Sequence, residues 1–336
     1  MSEGYPYAVI AVGDRPMCIW DYDLKEHNER FCSTLNGHWF SESIDRLVEA
    51  SATDDELSQS AALSIRLTYH HALETFFAVL FAAIQAPECL PGWLDHYQLS
   101  DLRQLIRRVQ HRGRILNSWG KPSLDWKSIS KLVHGCSGWD DDDQTALRFA
   151  SAWGRLAGEF LDEKNRGEYN GVKHGFRATP GGGGLRIGEE EEYGVPAPPE
   201  AMHWLGSSRY GSSSFVTAPI PANRSRRKAS HFLLKSEQVL WLPETTVAKA
   251  HILSMSIANT LSAVRAALGA PPSTVKFHRF ADPEGFEAAW RSSTGVTGFQ
   301  FNFMPPPDEV AEIDDERLLE LLREKSGWTD PPEAAS

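Results

Sequence analysis

The chain has 336 residues, 41% of them hydrophobic and 24% charged, and a formal net charge of −11 at neutral pH. This is an ordinary globular composition with apolar material for one large domain or two smaller ones. The acidic balance argues against a protein that coats nucleic acid non-specifically, since phosphates are repelled on average, but it leaves room for a local basic site.

Eleven tryptophans suit a thick core or a partner surface. Cys18, Cys32, Cys89 and Cys136 are scattered without a CxxC pair, which argues against a thiolate zinc site and for free thiols. The most apolar run, residues 72–83, is short for a membrane span and carries Glu74. No basic segment followed by an apolar stretch opens the chain. The expectation is a cytoplasmic protein with no membrane contact.

In chain order, residues 1–40 mix apolar runs with turn residues and predict one or two strands. From residue 41, Ile44, Leu47 and Val48 repeat at helical spacing. Residues 58–86 predict one long helix. Leu63, Leu67, Leu73, Phe76, Phe77, Leu80, Phe81 and Ile84 give it a stripe wide enough for the centre of a bundle, and Pro87 and Pro91 end it. Helices follow at 100–109, capped by Ser100, and at 124–133. Another runs from the aspartates at 140–143 to Phe160 or beyond, with a break expected near Asn165. After Gly175, residues 176–187 read as a hairpin turning at Gly181–Gly184. Strands are expected at 214–218 and 232–242, with a basic loop at 224–228 between them. A strong helix at 247–268, a strand at 275–280, a short helix at 284–290, a strand at 298–303 and an acidic helix at 314–325 complete the pattern.

The fold class is therefore mainly α: a helical bundle with small β-hairpin and strand additions at the N-terminus and after residue 175. The expected divisions are a β-containing segment at 1–40, a bundle core at 41–175, hairpins and loops at 176–243, a helix with small α/β elements at 244–326, and a disordered tail at 327–336. Strands and helices do not alternate as a doubly wound nucleotide fold requires. The Gly181–Gly184 run lacks the Lys-Ser/Thr of a P-loop, and Asp140–Asp143 lacks the ligand spacing of a calcium loop.

The most conspicuous polar string is Glu168-Tyr169-Asn170-Gly171-Val172-Lys173-His174-Gly175. In a helix, Arg166, Asn170 and His174 share one face, with Tyr169 and Lys173 beside them. A histidine, an amide and nearby cations can bind an anion and move a proton. The same residues in a last helical turn can instead satisfy free carbonyls and the helix dipole. On α-helical spacing, Tyr69-His70-His71-Ala72-Leu73-Glu74 sets Glu74 one turn below both histidines. That set suits a hydrogen-bonded core position, support of His174 by His71 or Glu74, or a His/Glu metal site that would need further ligands. Arg103, Arg107, Arg108, Arg112 and Arg114 with His111 form a basic run, either a phosphate footprint or a solvated face.

Asn170-x3-His174 at a helix end resembles the second half of the signature of HEPN-type helical domains, over roughly residues 58–175. The resemblance implies a metal-independent ribonuclease or RNA-binding protein of a phage-defence or stress system, with no cofactor and with a site formed between two subunits of a homodimer. It assigns proton handling to His174 with Asn170, helped by Arg166 or Lys173. Tyr169 stands where the signature has arginine. If RNA binds, it would lie on Arg103, Arg107, Arg108, Arg112 and Arg177 and on the basic loop at 224–228, with His71 and Glu74 in support. The strings Gln85-Ala86-Pro87, Gly92-Trp93-Leu94 and Glu168-Tyr169-Asn170 with Lys173-His174-Gly175-Phe176-Arg177 also resemble a bacterial family of no assigned activity. The alternative from a different class is a non-catalytic helical module that binds a protein partner.

Overall fold

The computed structural model describes residues 8–19, 24–51, 57–139, 142–175, 177–190, 192–217, 234–303 and 313–326. The basic loop expected at 224–228 and the tail at 327–336 lie outside the described residues. The chain forms two units, residues 1–214 with 238–299 and residues 215–237 with 300–336.

The first unit is mainly helical. Its centre is α3 (Gln59–Gln85), which packs along α9 (Pro243–Ala267). Ser58 caps α3 by accepting from the Ala61 amide at 3.2 Å. Toward its C-terminus α3 buries Phe76, Phe77, Leu80, Phe81 and Ile84. Toward its N-terminus the buried face mixes Ala62 and Ile65 with polar Arg66, Tyr69 and His70, while Leu63 and Leu67 are only half-buried. By length and hydropathy α3 alone among the described helices could cross a membrane, but 72% of its most apolar window is buried within the fold.

Around this pair stand α1 (Leu24–Thr34), α2 (Trp39–Ser51), α4 (Leu90–His96), α5 (Leu99–Gln110), α6 (Trp126–His134), α7 (Asp142–Leu161), α8 (Glu163–Lys173) and α10 (Glu284–Arg291). Within residues 1–40 only strands were expected. The hairpin β1 (Ala8–Val12) and β2 (Arg15–Ile19) is there, but α1 follows it. α1 is hard to read because its buried side chains are Asn28 and Cys32 on a mostly polar helix. Pro91 does not only end α3: it sits in the first turn of α4, where its missing amide costs nothing. α5 is capped by Gln98 with Asp101 rather than by Ser100.

Buried Gln85 joins three segments. Its Oε1 accepts from the Gly13 amide at 2.9 Å and Trp93 Nε1 at 3.0 Å, and its Nε2 donates to the carbonyls of Gly13 and Leu116. Asn28 likewise accepts from the Leu90 amide and donates to the Pro87 carbonyl. The Gln85–Pro87 and Gly92–Leu94 strings are thus one bonded corner.

The β elements depart from the expected hairpin at 176–187. β3 (Ala178–Pro180) and β4 (Gly183–Ile187) do not pair with each other. β4 pairs antiparallel with β5 (His203–Ser208), and β3 pairs antiparallel with β6 (Gly211–Thr217). With β7 (Leu234–Leu240) and β8 (Gly298–Phe303) the second sheet has the order β3-β6-β7-β8. Residues 275–280 form no strand, because side chains of α9 take their backbone groups. Asn259 exchanges two hydrogen bonds with His278, and Ser262 donates to the Lys276 carbonyl. In the second unit α11 (Asp315–Ser326) buries none of its residues.

His134 is held in the core of the first unit. Its Nδ1 donates to the Ser130 carbonyl at 2.9 Å, Nε2 accepts from Asn259 at 3.2 Å, and the ring stacks on Phe149. Burial pulls its pKa down to about 4, against a weaker opposing effect of the Ser130 hydrogen bond. The neutral ring therefore contributes stability above the unfolded value near 6.5 that is lost as pH falls toward 4. Urea midpoints from pH 7 to pH 4.5 are expected to fall for the wild type and to fall less steeply for His134→Gln. A Cβ at Gly37 would lie 2.6 Å from the Ala258 Cα of α9. Gly37→Ala is accordingly expected to cost about 1–3 kcal/mol in equilibrium unfolding by overpacking.

Candidate functional site

α8 starts where Asp162 accepts from the amides of Lys164 and Asn165, the break that the sequence suggests near Asn165. It ends at His174, and Gly175 follows with φ +62°, a left-handed stop suited to glycine. Successive residues turn by about 100° in a helix, so Glu168 faces away from Arg166. The two faces of α8 do different things.

The inward face is organised by Glu168, which is fully buried. Its Oε2 accepts from Arg66 Nε at 2.9 Å, Arg66 Nη2 at 2.9 Å and His70 Nε2 at 3.0 Å. Its Oε1 accepts from Ser212 Oγ at 2.7 Å and Trp241 Nε1 at 2.9 Å. Arg66 also donates from Nη2 to Asn165 at 3.1 Å and lies over the rings of Tyr69 and Trp241. Burial alone would raise the Glu168 pKa, but the Arg66 charge and the His70 hydrogen bond outweigh it and hold the carboxyl well below its usual range. Burial, with the Arg66 charge, lowers the His70 pKa and keeps the ring neutral with its proton on Nε2. Sequence spacing paired a histidine with Glu74. Instead His70 meets Glu168, and Glu74 accepts weakly from Tyr97 at 3.4 Å.

A second carboxylate, Glu159 of α7, adjoins this group. It accepts from the Tyr69 hydroxyl, from Lys249 Nζ at 2.7 Å and from Trp290 Nε1 at 3.4 Å. Burial would raise its pKa, but Lys249 holds it low. Neither Glu159 nor Arg66 stands out in the sequence as a site residue. The available signal was Arg66 four residues before His70, two polar side chains within a core helix.

The outward face carries Arg166, Asn170 and His174, all exposed. Arg166 pairs with Glu163 at 3.4 Å. Tyr169 lies half-buried between the faces, its ring 5.4 Å from His70 and 5.5 Å from His71, with Lys173 Nζ 5.3 Å from its centroid. His71 therefore meets Tyr169 and the field of Lys173, and burial with that charge lowers its pKa. Among the described residues no three His, Cys, Asp or Glu side chains cluster as metal ligands, so His70, His71 and Glu74 do not assemble the metal site considered from spacing.

The arginine run divides. Arg103 is buried, donates to the Leu161 carbonyl at 3.2 Å, and lies in the field of Arg166 and Arg107. Arg107, Arg114 and Arg177 are exposed. Arg108 is paired with Asp14 (2.7 Å between Nη2 and Oδ2), and Arg112 with Asp125 at 3.3 Å. A narrow cleft of about 30 Å³ reaches from Arg103, Arg166, Tyr169 and Asn170 inward to His70. His174 does not line it.

No family model, curated protein or solved structure matches the chain.

Removing Glu168 leaves Arg66 buried without its counter-charge, a loss of about 3–5 kcal/mol. Glu168→Ala is expected to unfold at much lower urea. Glu168→Gln combined with Arg66→Met is expected to recover part of the loss, and failure to do so would mean that the charges are not coupled.

Proposed function

We propose that the chain is a HEPN-like protein that binds RNA through the outward face of α8. The observation that carries this reading is that Arg103 of α5 lines one cleft with Arg166, Tyr169 and Asn170 and lies in the field of Arg166 and Arg107, beside exposed His174. Arginine donors in this setting suit phosphate oxygens, and the sequence resemblance supplies the RNA. In the catalytic version His174 takes the proton of a 2′-hydroxyl, Asn170 orients the phosphate, and Arg166 or Lys173 supplies the charge that Tyr169 lacks. Arg177 extends the basic surface, and a second copy of the chain completes the site. The defence or stress role belongs to the same proposal.

A labelled single-stranded RNA is expected to bind more weakly as salt rises. Arg166→Ala and Arg107→Ala should each weaken binding and flatten that salt dependence. Cleavage in excess EDTA that disappears in His174→Ala supports the nuclease version, and absence of RNA binding at low salt defeats the whole reading. The rival, a protein-binding module, is favoured by Ile187, Trp204 and Leu205, all exposed on the β4–β5 hairpin. It predicts a protein partner lost with Trp204→Ala and unaffected by Arg166→Ala.

A further inference from the structure

A cavity of about 600 Å³ lies within the first unit and shares Glu159 and Asn165 with the narrow cleft beside Arg166. That volume is in the range of small-molecule sites. Three sets of hydrogen-bond donors converge on it. The first is Arg66, whose side chain is 5% exposed. Its Nε and Nη2 serve Glu168 and Asn165, whereas Nη1 has no partner among the described residues and Arg66 lines the cavity. The second is the start of α9. This 25-residue helix has no side-chain cap, Pro243 has no amide hydrogen to offer, and the Thr245 amide finds no acceptor among the described residues. Thr245 lines the cavity there, its hydroxyl donating to the Leu242 carbonyl at 2.9 Å. The third is Lys249, about one turn beyond Thr245 on α9 and held by Glu159.

We propose that this cavity binds a small organic phosphate monoester. Its head group lies between Arg66 Nη1, the first turn of α9 and Lys249, and its organic body lies toward the Trp290 side of the cavity. Uncapped helix amides and a guanidinium edge both favour several anionic oxygens on one centre. The wall also contains Arg155 and Lys164, so cations outnumber the carboxylates Glu159 and Asp162. Glu159 does not repel the ligand as a bare charge would, because Tyr69, Lys249 and Trp290 all donate to it. Nothing in this site depends on the RNA reading.

The test is thermal unfolding and calorimetric titration of the full chain with inorganic phosphate, adenosine 5′-monophosphate and adenosine. A ligand that binds only the folded state raises Tm in proportion to the logarithm of its concentration above Kd. Inorganic phosphate is expected to bind in the millimolar range, and the monophosphate at least about tenfold more tightly. Adenosine should give no response. Lys249→Met and Arg66→Lys should each weaken both phosphates at least about tenfold. Lys249→Gln, whose amide can still donate to Glu159, provides a folded variant if Arg66→Lys does not fold. Absence of a saturable response to either phosphate overturns the head-group site. So does an equal response to adenosine, or one that survives in the folded variants. Equal affinities for phosphate and monophosphate overturn the placement of the body. The two sites are separable, because Arg166→Ala should leave monophosphate binding intact and Lys249→Met should leave RNA binding intact.

Discussion

The carboxylate of Glu168 is the constraint on which the rest of this arrangement depends. A fully buried charge is tolerated only when it is paired and its lone pairs are filled. Here Arg66 supplies the charge, and His70, Ser212 and Trp241 supply the remaining donors. These donors come from α3, β6 and the segment that leads into α9, so one side chain fixes the rotation of α8 about its axis. Once Glu168 points inward, helical geometry turns Arg166, Asn170 and His174 outward. The same pairing engages two nitrogens of the Arg66 guanidinium, Nε and Nη2, with Glu168 and Asn165.

The helices were legible wherever apolar side chains repeat, as in α3, α5, α7 and α9. Where the buried face is polar the reading weakens. α1 buries an asparagine and a cysteine, and at the start of α3 Arg66, Tyr69 and His70 turn inward beside Ala62 and Ile65, while Leu63 and Leu67 do not. Strand pairing was the least legible part. The glycines at 181–184 suggest a tight turn, but the partners of β3 and β4 come from β5 and β6, which local signals do not name. Residues 275–280 have the composition of a strand and are claimed instead by side chains of α9.

The polar string at 168–175 was visible in the sequence, as was its outward row. The identity of its organising member was not. Spacing within one helix cannot show that Glu168 meets Arg66 of another, nor that Arg103 leaves a solvated run to lie against Arg166. Glu168 and Asn170 thus sit two residues apart on α8 with different tasks. One holds the helix to the core, and the other is exposed.

The pairing of α3 with α9 has a consequence for how the protein is made. α3 is complete at Gln85, while its long partner begins only at Pro243. During synthesis the most apolar helix of the chain leaves the ribosome long before the surface that covers it. Contacts so distant in sequence close slowly, because the chain between them must first be confined. The Arg66–Glu168 pair bridges part of that interval, as it can form before Trp241 and Lys249 exist. Until then the nascent chain carries a half-satisfied polar group beside uncovered phenylalanines.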